Sequence, residues 1–373
     1  MRGEYRGYMR HLAVSLLLSI AASGCRSSAA PQSSEDAGPT PDGSQVGPSP
    51  SAQPFQAGDF VTVRNDHSHL DYGSAAFERS DGAWVVVFEE FTSDTELAGR
   101  LLRAVSTDHL HFDTIQPLDF AAGELQLGPE NARLGNGDFL YFMGGSHAKS
   151  TIHRARFDPS DGTFGGSTKL TLTDGYMGVA AWPKLAVIAD GSVALGYNHY
   201  QNAAPTLALG DGLHFGAPQT LGAGVQGRPG AFAHGGLVYT YQDGQLPDTV
   251  YVRFSGDGVA FTEAVPLTSG PNPHDATPFA RLDGDIDIYY SATSALGFTI
   301  ARRHVRANGT IAPEELVSDP TAGSFTQPHP VRLRDGSILL TFAVQVTSNV
   351  DTDTACAHIA GDGSSVERPV GDH

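Results

Sequence analysis

Apolar residues in this chain fall in short runs, each closed by a turn containing glycine, and the runs repeat. In the first pass an apolar strand ends at Asp81-Gly82, and a stronger one follows, Ala83-Trp84-Val85-Val86-Val87-Phe88. A third spans Leu101 to Val105, and a second turn, Ser106 to Phe112, leads into a short fourth strand. Asp-Gly between apolar runs marks a hairpin, because glycine takes positive φ without steric penalty. No long segment sustains the three-and-four spacing of an amphipathic helix, so strands are expected throughout. The first turn recurs as Asn136-Gly137, Asp190-Gly191, Gly235-Gly236, Asp283-Gly284 and Asp335-Gly336. The second turn carries Asp or Asn at 108, 161, 211, 257, 308 and 362, at intervals of 53, 50, 46, 51 and 54. A period near fifty with four strands per repeat predicts an all-β chain, a six-bladed β-propeller of four-stranded antiparallel blades. Six such repeats fill the sequence from residue 60 onward.

Two of the second turns carry a family resemblance. Ser255-Gly256-Asp257-Gly258-Val259-Ala260-Phe261 and Ser106-Thr107-Asp108-His109-Leu110-His111-Phe112 are similar to the Asp-box (BNR repeat) turn Ser-x-Asp-x-Gly-x-x-Trp, with phenylalanine for tryptophan. The other four are degenerate. The chain thus resembles the sialidase-like propellers over about 310 residues. The resemblance implies that these turns are structural, on the rim away from the ligand site. It also implies that the ligand face is built from the loops entering each innermost strand and those joining the second strand to the third.

The first 55 residues break the pattern. Arg2, Arg6 and Arg10 precede an apolar run from Leu12 to Ile20, and Ala22-Ser23-Gly24-Cys25 follows. A basic start, a short apolar core and small residues make a signal peptide, here over 1–24. The final string looks like a bacterial lipobox, which implies cleavage before Cys25 and a diacylglycerol on its sulfur. Arg26 stands where an inner-membrane retention signal commonly carries Asp, so the expected location is extracytoplasmic, lipid-anchored in the cell envelope, at the outer membrane where one exists. Residues 25–55 are rich in Ser, Pro, Gly and Ala and read as a flexible tether, which leaves 56–373 for the propeller. The only other cysteine is Cys356, in an apolar strand pattern, where a buried inert thiol is expected. The formal net charge of −18 argues against nucleic acid as a partner. The expected partner is an extracellular glycan or surface polysaccharide, engaged by a monomer.

Reading the ligand-face loops off the repeat gives candidates for chemistry. The first blade offers His67, His69, Asp71, Glu89 and Glu90, and the second Glu130, Asn131, His147 and Lys149. The third offers Tyr176, Trp182, Lys184, Asn198, His199 and Tyr200, and the fourth Arg228, Gln242 and Asp243. His274, Asp275 and Tyr290 come from the fifth, and Gln327, His329 and Gln345 from the sixth. Sialidase activity is not expected. The family's grip on a sugar carboxylate is an arginine triad, yet only Arg228 stands clearly at an inner-strand mouth, and no Arg-Ile-Pro occurs. Another glycan-active enzyme needs either two carboxyl groups flanking a glycosidic bond or a base beside a cation for a lyase. Glu130, Asp275 and His274 are the catalytic candidates; His69, Trp182, Arg228, His329 and Tyr290 are the ligand-binding ones. No cofactor is required, and no metal site is assigned. The His67-x-His69 spacing leaves a calcium or transition-metal ion at the pore open. The competing reading is a non-catalytic surface module that uses the same loops for recognition alone.

Overall fold

A computed structural model describes residues 54–361, apart from 65–69, 92–98, 124, 147–148, 174–179, 200–203, 244–247, 269–272 and 348–350. These residues form six four-stranded antiparallel blades of a β-propeller. The innermost strands are Leu70–Glu78, Leu125–Leu134, Ala180–Val187, Val225–Ala231, His274–Ala280 and Ser324–Arg332, for blades 1 to 6 in turn. The second strands are Trp84–Phe91, Gly137–Ser146, Val193–His199, Leu237–Gln242, Ile286–Ser294 and Ile338–Thr347.

Second strands are covered on both sides, so they read as unbroken apolar runs. Alternate residues serve different neighbours. In blade 1, Val85 and Val87 pack with Leu140 and Phe142 of blade 2. Trp84, Val86 and Phe88 pack instead with Val331 and Leu339 of blade 6. Equivalent apolar clusters join every other pair of adjacent blades. Cys356 lies in the blade 6–blade 1 cluster, where burial pushes its thiol up to about 12.

Ring closure departs from six in-line repeats. The outermost strand of blade 6 is supplied by the start of the domain: Val61 and Thr62 pair antiparallel with Cys356 and Ala355. Upstream, Phe55 is fully buried between blades 5 and 6, stacked on Phe342 at 5.3 Å and edge-on to Phe325 at 5.5 Å. Its backbone N–H donates to Val317 O at 2.9 Å. The packed unit therefore includes Phe55, which the sequence reading assigned to the tether. A non-polar ring has most to gain from water exclusion in a segment otherwise too polar to pack.

Three of the second turns are wired alike. Asp257 Oδ1 accepts the N–H groups of Val259 and Ala260, both at 2.8 Å, and Ser255 Oγ accepts that of Gly258 at 2.8 Å. Asp108 and Asp211 accept the two corresponding N–H groups in their own turns. Third strands run parallel to inner strands, so these turns lie at the end of each blade opposite the start of its inner strand.

Candidate functional site

Each inner strand carries one register irregularity near its start, and it falls at the same place in all six: between Tyr72 and Ser74, Leu127 and Glu130, Ala181 and Lys184, Val225 and Arg228, His274 and Thr277, and Thr326 and His329. A left-handed residue sits inside each one: Gly73, Gly128, Trp182, Gln226, Asp275 and Gln327, with φ between 42° and 63°. For the four that are not glycine this conformation costs of order 1–3 kcal/mol each, and such strain persists only where surrounding structure holds it.

Neighbouring blades supply part of that hold. The N–H of Gly128 donates to Glu89 Oε2 of blade 1 at 2.7 Å, and that of Gln226 to Asn198 Oδ1 of blade 3 at 2.9 Å. The N–H of Asp275 donates to Gln242 Oε1 of blade 4, and that of Gln327 to Ser291 Oγ of blade 5, both at 3.2 Å. In blade 6 the corresponding second-strand position is Ala343, paired with Thr326. There Gln327 Oε1 substitutes and accepts from Gly73 N at 2.7 Å. Glu89, Asn198 and Gln242, read from sequence as ligand-facing loop residues, are thus also clamps between blades.

Two residues beyond each left-handed position stand Ala75, Glu130, Lys184, Arg228, Thr277 and His329, one per blade. The five polar ones make contacts among themselves, while Ala75 packs in the apolar cluster between blades 1 and 2. Lys184 Nζ lies 2.6 Å from Glu130 Oε2, and His329 Nε2 lies 3.4 Å from the same oxygen. Arg228 donates to Thr277 Oγ1 and lies 3.4 Å from Asp275 Oδ1, whose other oxygen is 2.6 Å from His274 Nδ1. The His274 ring stands edge-on to Phe298 at 4.4 Å. Glu130, Arg228, Asp275 and His329 are all buried, and His274 is partly open.

Burial and charge set the protonation states. Burial raises Glu89 to about 7, opposed only in part by the Gly128 N–H and the Lys184 charge. Burial would also raise Glu130, but Lys184 and His329 outweigh it and hold this carboxyl at about 2. Asp275, equally buried, is held below its ordinary value by His274 and Arg228. Glu89 and Glu130 are packed around a single bulge, since Glu89 binds the N–H two residues before Glu130. Gly73 and Gly128, the two glycines among the six left-handed positions, flank Glu89. A Cβ on Gly73 would meet Glu89 Oε1 at 3.0 Å, and one on Gly128 would meet Trp182 Cδ1 at 2.9 Å.

The structure places five of the expected site residues near the inner-strand starts, in two contact groups: Glu130 with His329, and Arg228 with Asp275 and His274. Trp182 is there too, but as packing. It lies partly buried against Leu125, Leu127 and Met143 of blade 2. Tyr290 is not at the site. Strand alternation turns it away from Ser291, the clamp residue beside it, into the fully buried cluster between blades 4 and 5. Its hydroxyl donates to Glu314. Glu90 faces blade 6 and is neutralised by Arg64 and Arg100. His67, His69, His147, Tyr176 and Tyr200 lie outside the described residues. Among the described residues no three His, Cys, Asp or Glu side chains are placed to share a metal ion.

Lys184 and the role of Glu89 were the residues that sequence reasoning undervalued. A signal for the first was present: Gly128-Pro129-Glu130, Trp182-Pro183-Lys184 and Gln327-Pro328-His329 repeat the order of bulge, proline and ionisable side chain. Proline suits such a position, because it brings no N–H that the interrupted ladder would leave unpaired.

No family model matches this sequence, and no curated protein does. Solved structures do resemble it. A protein of unknown function from Dyadobacter fermentans DSM 18053 aligns with 83% of this chain and 99% of its own, at 14% identity and a TM-score of 0.65. A Hadza microbial sialidase aligns over 79% and 68%, at 12% identity and a TM-score of 0.58. The alpha-L-arabinanase of Penicillium chrysogenum, complexed with arabinobiose, aligns over 80% and 97%, at 13% identity and a TM-score of 0.55. At these identities the likeness establishes architecture: the chain has the six-bladed, sialidase-like β-propeller fold.

Proposed function

We propose that this chain binds a glycan where its inner strands begin and cleaves a glycosidic bond there, with Glu89 as the acid and Glu130 as the ionised partner. The observation that carries the reading is the pair itself. Two buried carboxyl groups flank one bulge in opposite surroundings: burial pushes Glu89 up to about 7, while Lys184 and His329 hold Glu130 at about 2. Pairs separated in this way divide the acid and nucleophile roles at neutral pH. In the first step Glu130 bonds to the anomeric carbon as the bond to the departing oxygen breaks, and the Glu89 proton goes to that oxygen. In the second, water attacks the anomeric carbon, gives a proton back to Glu89, and frees Glu130. The sum is addition of one water. Resemblance to an arabinanase and a sialidase supports a glycan as the substrate class.

The test is a hydrolysis screen of residues 54–373 against neutral, acidic and uronic polysaccharides, with Glu89→Gln and Glu130→Gln as controls. Turnover lost in both variants supports the proposal. No turnover by the wild-type chain on any polymer refutes cleavage. A second reading, recognition without chemistry, is favoured by one observation: Glu89 clamps Gly128 just as Asn198 clamps Gln226. Glycan-array binding that survives Glu89→Gln in a protein without turnover selects it.

The proposal places the propeller outside the cytoplasm on a lipid attached to Cys25, reached through the polar segment before residue 54. Cys25→Ser should release the protein to the soluble fraction. Unchanged membrane association overturns the anchor.

A further inference from the structure

The contact between His329 and Glu130 joins blades that are not neighbours. Blade 1 lies between them, and its residue at this level is Ala75, the smallest of the six. His329 reaches past it: Nδ1 contacts the backbone oxygen of Ser74 in blade 1, while Nε2 lies 3.4 Å from Glu130 Oε2 in blade 2. A carbonyl oxygen only accepts, so Nδ1 carries a hydrogen and donates it. Nε2 faces the ionised carboxylate of Glu130, which also only accepts, so Nε2 carries a hydrogen as well and the ring is held at both ends. Thr341 Oγ1 also donates to the His329 backbone oxygen, at 3.3 Å. His329 is buried, so its ring has little freedom to leave.

Lys184 reaches the same atom, Oε2, from blade 3 at 2.6 Å. Both contacts therefore fall on one oxygen of Glu130. From this we infer that His329 is a positioning residue. With Lys184 it occupies Oε2, fixes the carboxylate plane, and leaves Oε1 as the oxygen that meets the anomeric carbon. The inference rests on the glycoside-cleavage reading and adds to it which oxygen reacts and what orients it. The three supports come from blades 6, 3 and 1, so the orientation of Glu130 depends on the closed ring.

Two near-isosteric substitutions separate the two bonds of the ring. In His329→Gln the side-chain amide nitrogen falls near Nε2 and keeps a donor for Glu130, but the bond to Ser74 is lost. In His329→Asn the amide falls near Nδ1 and keeps the Ser74 bond, but Glu130 loses its donor. The expected result is a ten- to hundredfold fall in kcat for His329→Asn, with KM within twofold, and a fall of less than tenfold for His329→Gln. Equal losses in the two variants, or a loss in KM alone, would overturn the inference. Imidazole nitrogen NMR of the wild-type protein gives a readout independent of turnover. The His329 signals should show hydrogen on both ring nitrogens and should shift in Glu130→Gln; a bare Nε2, or signals unmoved by that substitution, also overturns it. A wild-type protein without hydrolytic activity but with the expected NMR coupling refutes the cleavage reading and leaves the His329–Glu130 link standing.

Discussion

Replacing Glu89 by Gln should make the protein more stable, and increasingly so as pH rises. The physical reason is that this carboxyl is buried and has a folded-state value of about 7 against an ordinary 4.5. The native state then binds the proton more tightly than the unfolded chain does. Between these two values stability falls as pH rises, and above the upper one the loss is complete. The full difference corresponds to about 3.4 kcal/mol, at 1.36 kcal/mol per unit. Most of it is absent at pH 5, where about 0.8 kcal/mol has been lost, and present at pH 8, where about 3.3 has. Glutamine keeps an oxygen to accept the Gly128 N–H and carries no charge to desolvate. The variant should therefore gain about 2.5 kcal/mol relative to wild type between pH 5 and pH 8. Urea unfolding at both pH values, with a common m-value, measures this directly. A gap that stays constant within 0.5 kcal/mol would show that Glu89 carries no raised value, and the assignment of the acid would fall with it. The same variant should lose hydrolysis of glycans whose leaving oxygen needs a proton, while an aryl glycoside with an acidic phenol should still release its phenol. Gain of stability together with loss of function is the signature of a group held against its own preference for a chemical task.

Glu130 has the opposite sign: its stabilisation is complete above the ordinary carboxyl value and is lost as pH falls through about 2. Glu130→Gln removes the carboxylate bonded to buried Lys184 and should cost about 3–5 kcal/mol in denaturant unfolding, most of which Glu130→Gln with Lys184→Met should restore. Phe55→Ala removes a fully buried ring between blades 5 and 6 and should lower stability by about 3–5 kcal/mol with the His329 imidazole signals unchanged. Gly73→Ala places a Cβ 3.0 Å from Glu89 Oε1 at a φ of +42°. It should cost about 1–2 kcal/mol by denaturant unfolding and flatten the pH dependence that Glu89 confers; an unchanged profile would mean that Glu89 does not rest on this glycine.

Architecture was legible in the sequence because it rests on a repeated local signal. Asp-Gly turns and apolar runs report backbone needs that recur in every blade, so counting them gives the fold. The closing strand was not legible. Val61 and Thr62 carry no mark distinguishing the outer strand of blade 6 from the start of blade 1, because a two-residue strand is too short to show a period. Site residues were legible only where a polar side chain stood at an inner-strand mouth. Tyr290 misled because one step along a strand reverses the face: Ser291 clamps the next blade, and Tyr290 enters the core. The Trp182-Pro183-Lys184 order marked Lys184 as a bulge residue, but its contact with Glu130, fifty-four residues earlier, is set by the packing of one blade on the next.

The six bulges explain how a repeating scaffold acquires a single, asymmetric site. Each blade presents one residue at the same height, so backbone geometry is common and identity is free: Ala75, Glu130, Lys184, Arg228, Thr277 and His329. The backbone distortion is borne locally, and the second strand of the preceding blade offsets it in four of the six places. Of these four clamps only Glu89 is ionisable. Asn198, Gln242 and Ser291 do this work as neutral groups, and a neutral group would serve Gly128 equally well. A glutamate there adds burial strain that the fold does not need, which is the physical ground for assigning Glu89 a task beyond holding its neighbour.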